Sequence, residues 1–114
     1  DGYEVNYFYT IDKKTGQVIK LTDLFKKDSQ YVDVITKDIK KQMKKKMKEN
    51  SQYKYFIDEE EKYTTFEKID ENQQFYINNS GELVICFAEG DVAPAYMGAL
   101  EFTISHKTIQ NILK

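Results

Sequence analysis

Arginine is absent from the 114 residues, and cysteine, histidine and proline each occur once. A single cysteine excludes an intramolecular disulfide and leaves the redox compartment open. One histidine and one cysteine cannot supply the four ligands of a structural zinc site. The acidic run Asp58–Glu61 lacks the spacing and the glycine of a calcium loop. No glycine-rich phosphate cradle and no GxSxG elbow is present, and nothing implies a cofactor. Without arginine, bidentate readout of bases has no donor of its preferred kind, so nucleic acid is not an expected partner. An all-lysine basic set also fits an AT-rich coding sequence and a low-GC Gram-positive bacterium. No apolar run approaches the roughly 18 residues of a membrane helix, so this segment is not expected to insert in a bilayer. The chain opens at Asp1 in a strand pattern without a secretory leader. The expectation is a piece of a longer protein, with any anchor upstream.

What is present is a globular composition, 40% hydrophobic and 32% charged with a net charge of −2. The length fits one domain, residues 1–114, with one core. Nine Tyr and seven Phe favour a sheet-rich fold. Tyr3, Val5, Tyr7, Tyr9 and Ile11 alternate as a strand, Asp12–Gly16 reads as a turn, and Gln17–Leu21 returns. A short helical turn is expected at Thr22–Phe25, capped by Thr22 or Asp23. The clearest helix follows, capped by Asp28 or Ser29 and ended by Asn50. Val32, Ile35, Ile39, Met43 and Met47 form its apolar stripe, and Asp33–Lys37 is a favourable i,i+4 pair. Lys37, Lys40, Lys41, Lys44, Lys45, Lys46 and Lys48 crowd its later turns. That face could touch polyanions or anionic lipid, but the low net charge favours a solvated surface.

Asn50–Tyr55 resists assignment. Tyr63–Ile69 is a candidate short helix, Phe75–Ile77 a strand, and Asn78–Gly81 a tight turn. Leu83–Phe87 is continuously apolar, as a central strand would be. Leu100–Ile104 is another strand, and Ser105 caps a last helix with Ile109, Ile112 and Leu113 inward. The reading is α+β: an antiparallel sheet of about five strands, one long amphipathic helix packed on a face, and a short C-terminal helix.

Between the last two strands lies a long connection, Glu89–Gly98, that holds the only proline. Such loops carry function or packing. Pro94 stiffens the tip, and Gly90 and Gly98 free its ends. Tyr96 and Met97 form an aromatic and thioether tip, the build of a binding element. Glu89, Asp91 and Glu101 flank it with negative charge that would steer a cationic partner. Catalytic candidates are weak. His106 reads as an exposed residue of a first helical turn, and Cys86, between Ile85 and Phe87, as a buried structural thiol. With 19 acidic residues, a carboxylate pair is always available and carries no information.

The ordered blocks Tyr9–Gly16, Leu21–Lys26, Glu71–Ile77, Val92–Gly98 and Glu101–Ile104 resemble the bacterial extracytoplasmic domain of unknown function numbered 3298. That domain forms the C-terminal part of RsiV-like anti-sigma factor ectodomains and accompanies cell-wall polysaccharide deacetylases. The resemblance implies an α+β ectodomain of the cell envelope, with a further strand-rich half upstream. In RsiV-like proteins the ectodomain is a receptor for lysozyme, and binding exposes the anti-sigma factor to signal peptidase and then to an intramembrane protease. The loop matching Pro94 and Tyr96 enters the enzyme's cleft. The expected function is therefore a non-catalytic sensor domain that binds lysozyme or a similar muramidase through Pro94, Tyr96, Met97, Glu89 and Asp91. The alternative is a cell-wall accessory module of a deacetylase or lipoprotein. A hydrolase is the third reading, and the site inventory argues against it.

Overall fold

The stripe Ile35, Ile39 and Met43 recurs at helical spacing, and all three side chains are fully buried under one helix, α1 (Tyr31–Glu49). A computed structural model of the chain describes residues 10–11, 18–57 and 65–114. Among these, β1 (Thr10–Ile11) and β2 (Val18–Ile19) pair antiparallel as the expected hairpin. Residues 3–9, the turn 12–16 and the acidic run 58–61 lie outside the described residues. A 3-10 turn, Leu21–Leu24, leads to α1. Then come β3 (Phe75–Ile77), β4 (Leu83–Phe87), β5 (Leu100–Ile104) and α2 (His106–Ile109).

β4 is central in a three-stranded antiparallel sheet of order β3–β4–β5. Phe75, Ile85 and Phe102 lie side by side across it. Alternation sends Leu83, Ile85 and Phe87 into the core and Val84 and Cys86 to the opposite face. All five residues of β4 are buried, which accounts for its unbroken apolar run. Among the described residues the expected sheet of about five strands does not form as a single sheet. The described strands make a two-stranded ribbon and a three-stranded sheet, and β1 comes near β3 without ladder bonds to it. The reason lies in the chain path. β2 runs directly into the 3-10 turn, whose Leu21 enters the core as Phe25 pairs with Leu113, so it does not continue along a sheet edge.

α1 runs beside β5. Gln42 Nε2 donates to Thr103 O at 3.0 Å, which covers part of that strand's edge. Ring contacts Tyr55–Phe102, Phe87–Phe102 and Phe66–Phe87, with centroids 5.5–6.0 Å apart, link the sheet to the segments around it. Val32 and Met47, at the ends of the stripe, are half-buried. Asn50 ends the helix as expected. The ion pair on α1 between described residues is Lys45–Glu49, at 4.0 Å, not Asp33–Lys37.

Three local expectations gave way to tertiary contacts. The cap of α1 is Gln30, in left-handed backbone at φ 57, rather than Asp28 or Ser29. Asp28 also has positive φ. The tight reversal lets Tyr31 stack on Phe25, centroids 4.7 Å apart, while the Tyr31 hydroxyl donates to Glu71 O at 2.6 Å. The 3-10 turn starts after Lys20, and Asp23 serves it from within by accepting the Lys20 N–H at 2.9 Å. Residues 65–69 of the expected Tyr63–Ile69 helix are irregular, and 63–64 lie outside the described residues. Their backbone is satisfied elsewhere: Phe66 N–H donates to Phe56 O, and Ile69 N–H to the buried Thr36 Oγ1 at 3.0 Å. Ser105 does hold the N-cap position of α2, but its side chain makes no cap hydrogen bond. Ile109 is buried there, and Ile112 and Leu113 pack half-buried against the core.

Candidate binding surface

The connection between β4 and β5 is built in three parts. At its start, Gly90 adopts φ 85 and the Asp91 carboxylate accepts the Ala88 N–H at 3.2 Å. In the middle, Val92 and Ala93 are 2% and 1% exposed, so the loop is rooted in the core. At the tip, Pro94 (φ −56, ψ 149) opens a 3-10 turn over Ala95–Met97, closed by Met97 N–H to Pro94 O at 3.0 Å and Gly98 N–H to Ala95 O at 2.9 Å. Gly98 leaves the turn at φ 72, ψ −165, a conformation open almost only to glycine.

Tyr96 is 72% exposed, the most exposed large hydrophobic side chain among the described residues. Its hydroxyl donates to Gln52 O at 3.2 Å, and the Lys54 N–H donates to Met97 Sδ at 3.4 Å. Met97 is half-buried and packs on the core. Pro94, Tyr96 and Met97 thus stand together. Tyr96 and Met97 border a hollow of about 400 Å³ with Tyr53, Tyr55, Lys46 and Leu100. Asp91 lines a different depression, with Phe66, Lys68 and Gln73, and Glu89, two residues earlier, is half-buried in the same turn. Glu101 accepts a hydrogen bond from the Tyr76 hydroxyl at 2.8 Å across β4. The tip and the acids therefore occupy separate parts of the surface. Sequence reasoning missed Tyr53 and Gln52. The available signal was the aromatic-rich polar stretch at Asn50–Tyr55.

Other surfaces offer less. A larger groove of about 590 Å³ runs beside α1, lined by Lys37, Lys40, Lys41, Lys44 and Lys68 with Asp33 and Glu67. Lys40 Nζ sits 5.7 Å from the Phe66 ring, so its stem covers core side chains. His106 is exposed at the start of α2. Cys86 is 6% exposed, and burial, with the Glu101 charge beside it, pushes its thiol up to about 12. A thiol so placed is a poor nucleophile. No group of three or more His, Cys, Asp or Glu among the described residues could hold a metal. No described helix is long and apolar enough to cross a membrane.

Fold and surface define an α+β domain whose sheet presents a rooted, aromatic-tipped loop. The chain belongs to the family described as protein of unknown function DUF3298, which matches residues 22–107. It is 43% identical over 111 residues to the anti-sigma-V factor RsiV of Bacillus subtilis (strain 168), a match covering 97% of this chain and 38% of that protein. The chain thus spans well under half of that relative's length. A crystal structure of a DUF3298 family member from Bacteroides fragilis superposes with a TM-score of 0.68 at 21% identity, over 95% of this chain and 40% of that one. The shared fold is therefore a property of the family.

Proposed function

We propose that this chain is part of the extracytoplasmic sensor domain of an anti-sigma factor and that the 88–99 loop recognises a protein partner, lysozyme or a similar muramidase. The likeness to RsiV supports the regulatory setting. The observation that carries the binding role is Tyr96, 72% exposed on a turn whose root is buried. Exposed large aromatics on rigid supports make binding anchors, because little freedom is lost when they are covered. In this reading Glu89 and Asp91 steer a cationic enzyme and Met97 lends the tip an adaptable neighbour. No catalysis is assigned to the domain.

The test is titration calorimetry of lysozyme against wild type, Tyr96→Ala and Pro94→Ala. Tyr96→Ala should cost at least about 2 kcal/mol of binding. Pro94→Ala should cost less, since it mainly frees the unbound loop. Thermal melts should change little for Tyr96→Ala. Equal binding by wild type and Tyr96→Ala would remove the loop assignment, and no binding by wild type would remove the muramidase reading. The second reading, a cell-wall accessory module, draws on the tyrosine rings and side-chain amides around the hollow, a lining that suits a sugar.

A further inference from the structure

Charge is spread unevenly over this chain. The net charge is −2, yet α1 carries seven of the 17 lysines within its 19 residues. Lys37, Lys40, Lys41 and Lys44 of α1, with Lys68 opposite, line the groove of about 590 Å³ beside that helix, and the acids that line it are two, Asp33 and Glu67. One wall is α1 and the other is residues 67–68. Two contacts tie the walls: Ile69 N–H donates to the buried Thr36 Oγ1 at 3.0 Å, and the Lys40 ammonium lies 5.7 Å from the Phe66 ring. The groove is therefore held open by the core. Lys37, Lys41, Lys44 and Lys68 are exposed along it. Lys37–Lys41 and Lys40–Lys44 are like-charge i,i+4 pairs, which oppose helix formation. An anion seated between them would turn that repulsion into attraction.

We propose that this groove binds a linear phosphodiester polymer that carries no bases. Lys37 and Lys44 stand two turns apart, about 10 Å along the axis, with Lys40 and Lys41 between them. A single small anion cannot reach them all, whereas a thin chain with a charge at each short repeat can. The lysine ammonium is a compact point charge with three donors, which suits phosphate oxygens, and the arginine fork that best grips a planar carboxylate is absent from this chain. No aromatic residue, Asn or Gln lines the groove, so nothing there stacks on a base or reads its edge. A lipid surface fits less well. The apolar stripe of α1 is spent in the core, with Ile35, Ile39 and Met43 fully buried, so the helix has nothing to insert into a bilayer. A flat headgroup layer also cannot enter a groove. The groove shares no lining residue with the hollow beside Tyr96, so the proposal stands apart from the identity of the loop's partner.

The experiment is fluorescence anisotropy of end-labelled poly(glycerol phosphate) titrated with this chain from about 50 to 200 mM salt. Wild type should bind, with log K falling against log salt at a slope of about −2 to −3, as three or four phosphate contacts require. The triple variant Lys37→Gln, Lys41→Gln, Lys68→Gln draws from both walls. It should bind at least about tenfold more weakly at the lowest salt, with a slope near −1. A control triple, Lys20→Gln, Lys54→Gln, Lys107→Gln, removes the same charge from exposed positions outside the groove and should bind within about twofold of wild type. Tyr96→Ala should also bind like wild type. Thermal melts should be unchanged or slightly raised in the groove triple, because Lys37–Lys41 repulsion is relieved. Equal loss in both triples would reduce the effect to overall charge and overturn the site. No binding by wild type at the lowest salt would overturn it as well. Oligo(dT) bound more tightly than the polymer would make the groove a nucleic-acid site, and phosphatidylglycerol vesicles bound in its place would make it a lipid contact; either result overturns the proposal.

Discussion

Cys86 offers a measurement in which burial and protonation multiply. It sits on β4 at 6% exposure, opposite Glu101 on β5. Its thiol is raised from 9.0 to about 12, chiefly by burial and then by the Glu101 charge. The thiolate is the reactive form. At pH 8 an unperturbed thiol is about one-tenth ionised and the folded one about one ten-thousandth, a difference of roughly a thousandfold in rate before access is counted. The alternative route is unfolding. At a stability of about 5–10 kcal/mol it exposes the thiol in fewer than roughly one molecule in several thousand, so it does not erase the protection. Ellman's reagent at pH 8, on native protein and on protein unfolded in guanidinium, measures both. Native labelling should be slower by about a thousandfold or more. It should rise tenfold per pH unit through pH 10, while the unfolded control levels off above 9. The folded state holds this proton more tightly, so its contribution to stability is complete below pH 9 and declines between 9 and about 12. Native labelling within tenfold of the unfolded rate would refute the argument.

Ile39→Ala should lower stability by about 2–5 kcal/mol, read from urea midpoints, because a fully buried side chain between α1 and the sheet leaves a cavity. Thr36→Val should cost about 1–3 kcal/mol by stranding the Ile69 N–H, while Thr36→Ser should cost less. Gly98→Ala should cost about 1–3 kcal/mol from backbone strain alone, since an added Cβ meets nothing within 4 Å. Thermal melts distinguish that loss from Tyr96→Ala, which should leave the midpoint nearly unchanged.

The sequence by itself determined the elements whose physics is periodic. The stripe from Ile35 to Met43 specified which face of α1 is buried, and the apolar run Leu83–Phe87 specified a strand covered on both faces. The tight turn at Asn78–Gly81 and the strands around it were legible because turn chemistry acts over a few residues. The projecting loop was legible from its length and its only proline. Tertiary structure decided what depends on partners distant in the chain. Gln30 caps α1 although Asp28 and Ser29 have the better side chains, because stacking Tyr31 on Phe25 dictates the path. Residues 65–69 stay irregular because Phe56 O and Thr36 Oγ1 take N–H groups that a helix would have used. The hollow beside Tyr96 exists because residues 52–56 and 92–97 bond to each other across some forty positions of chain. Local propensity acts within a turn or two, whereas a surface shared by two distant segments comes into being only when the core brings them together.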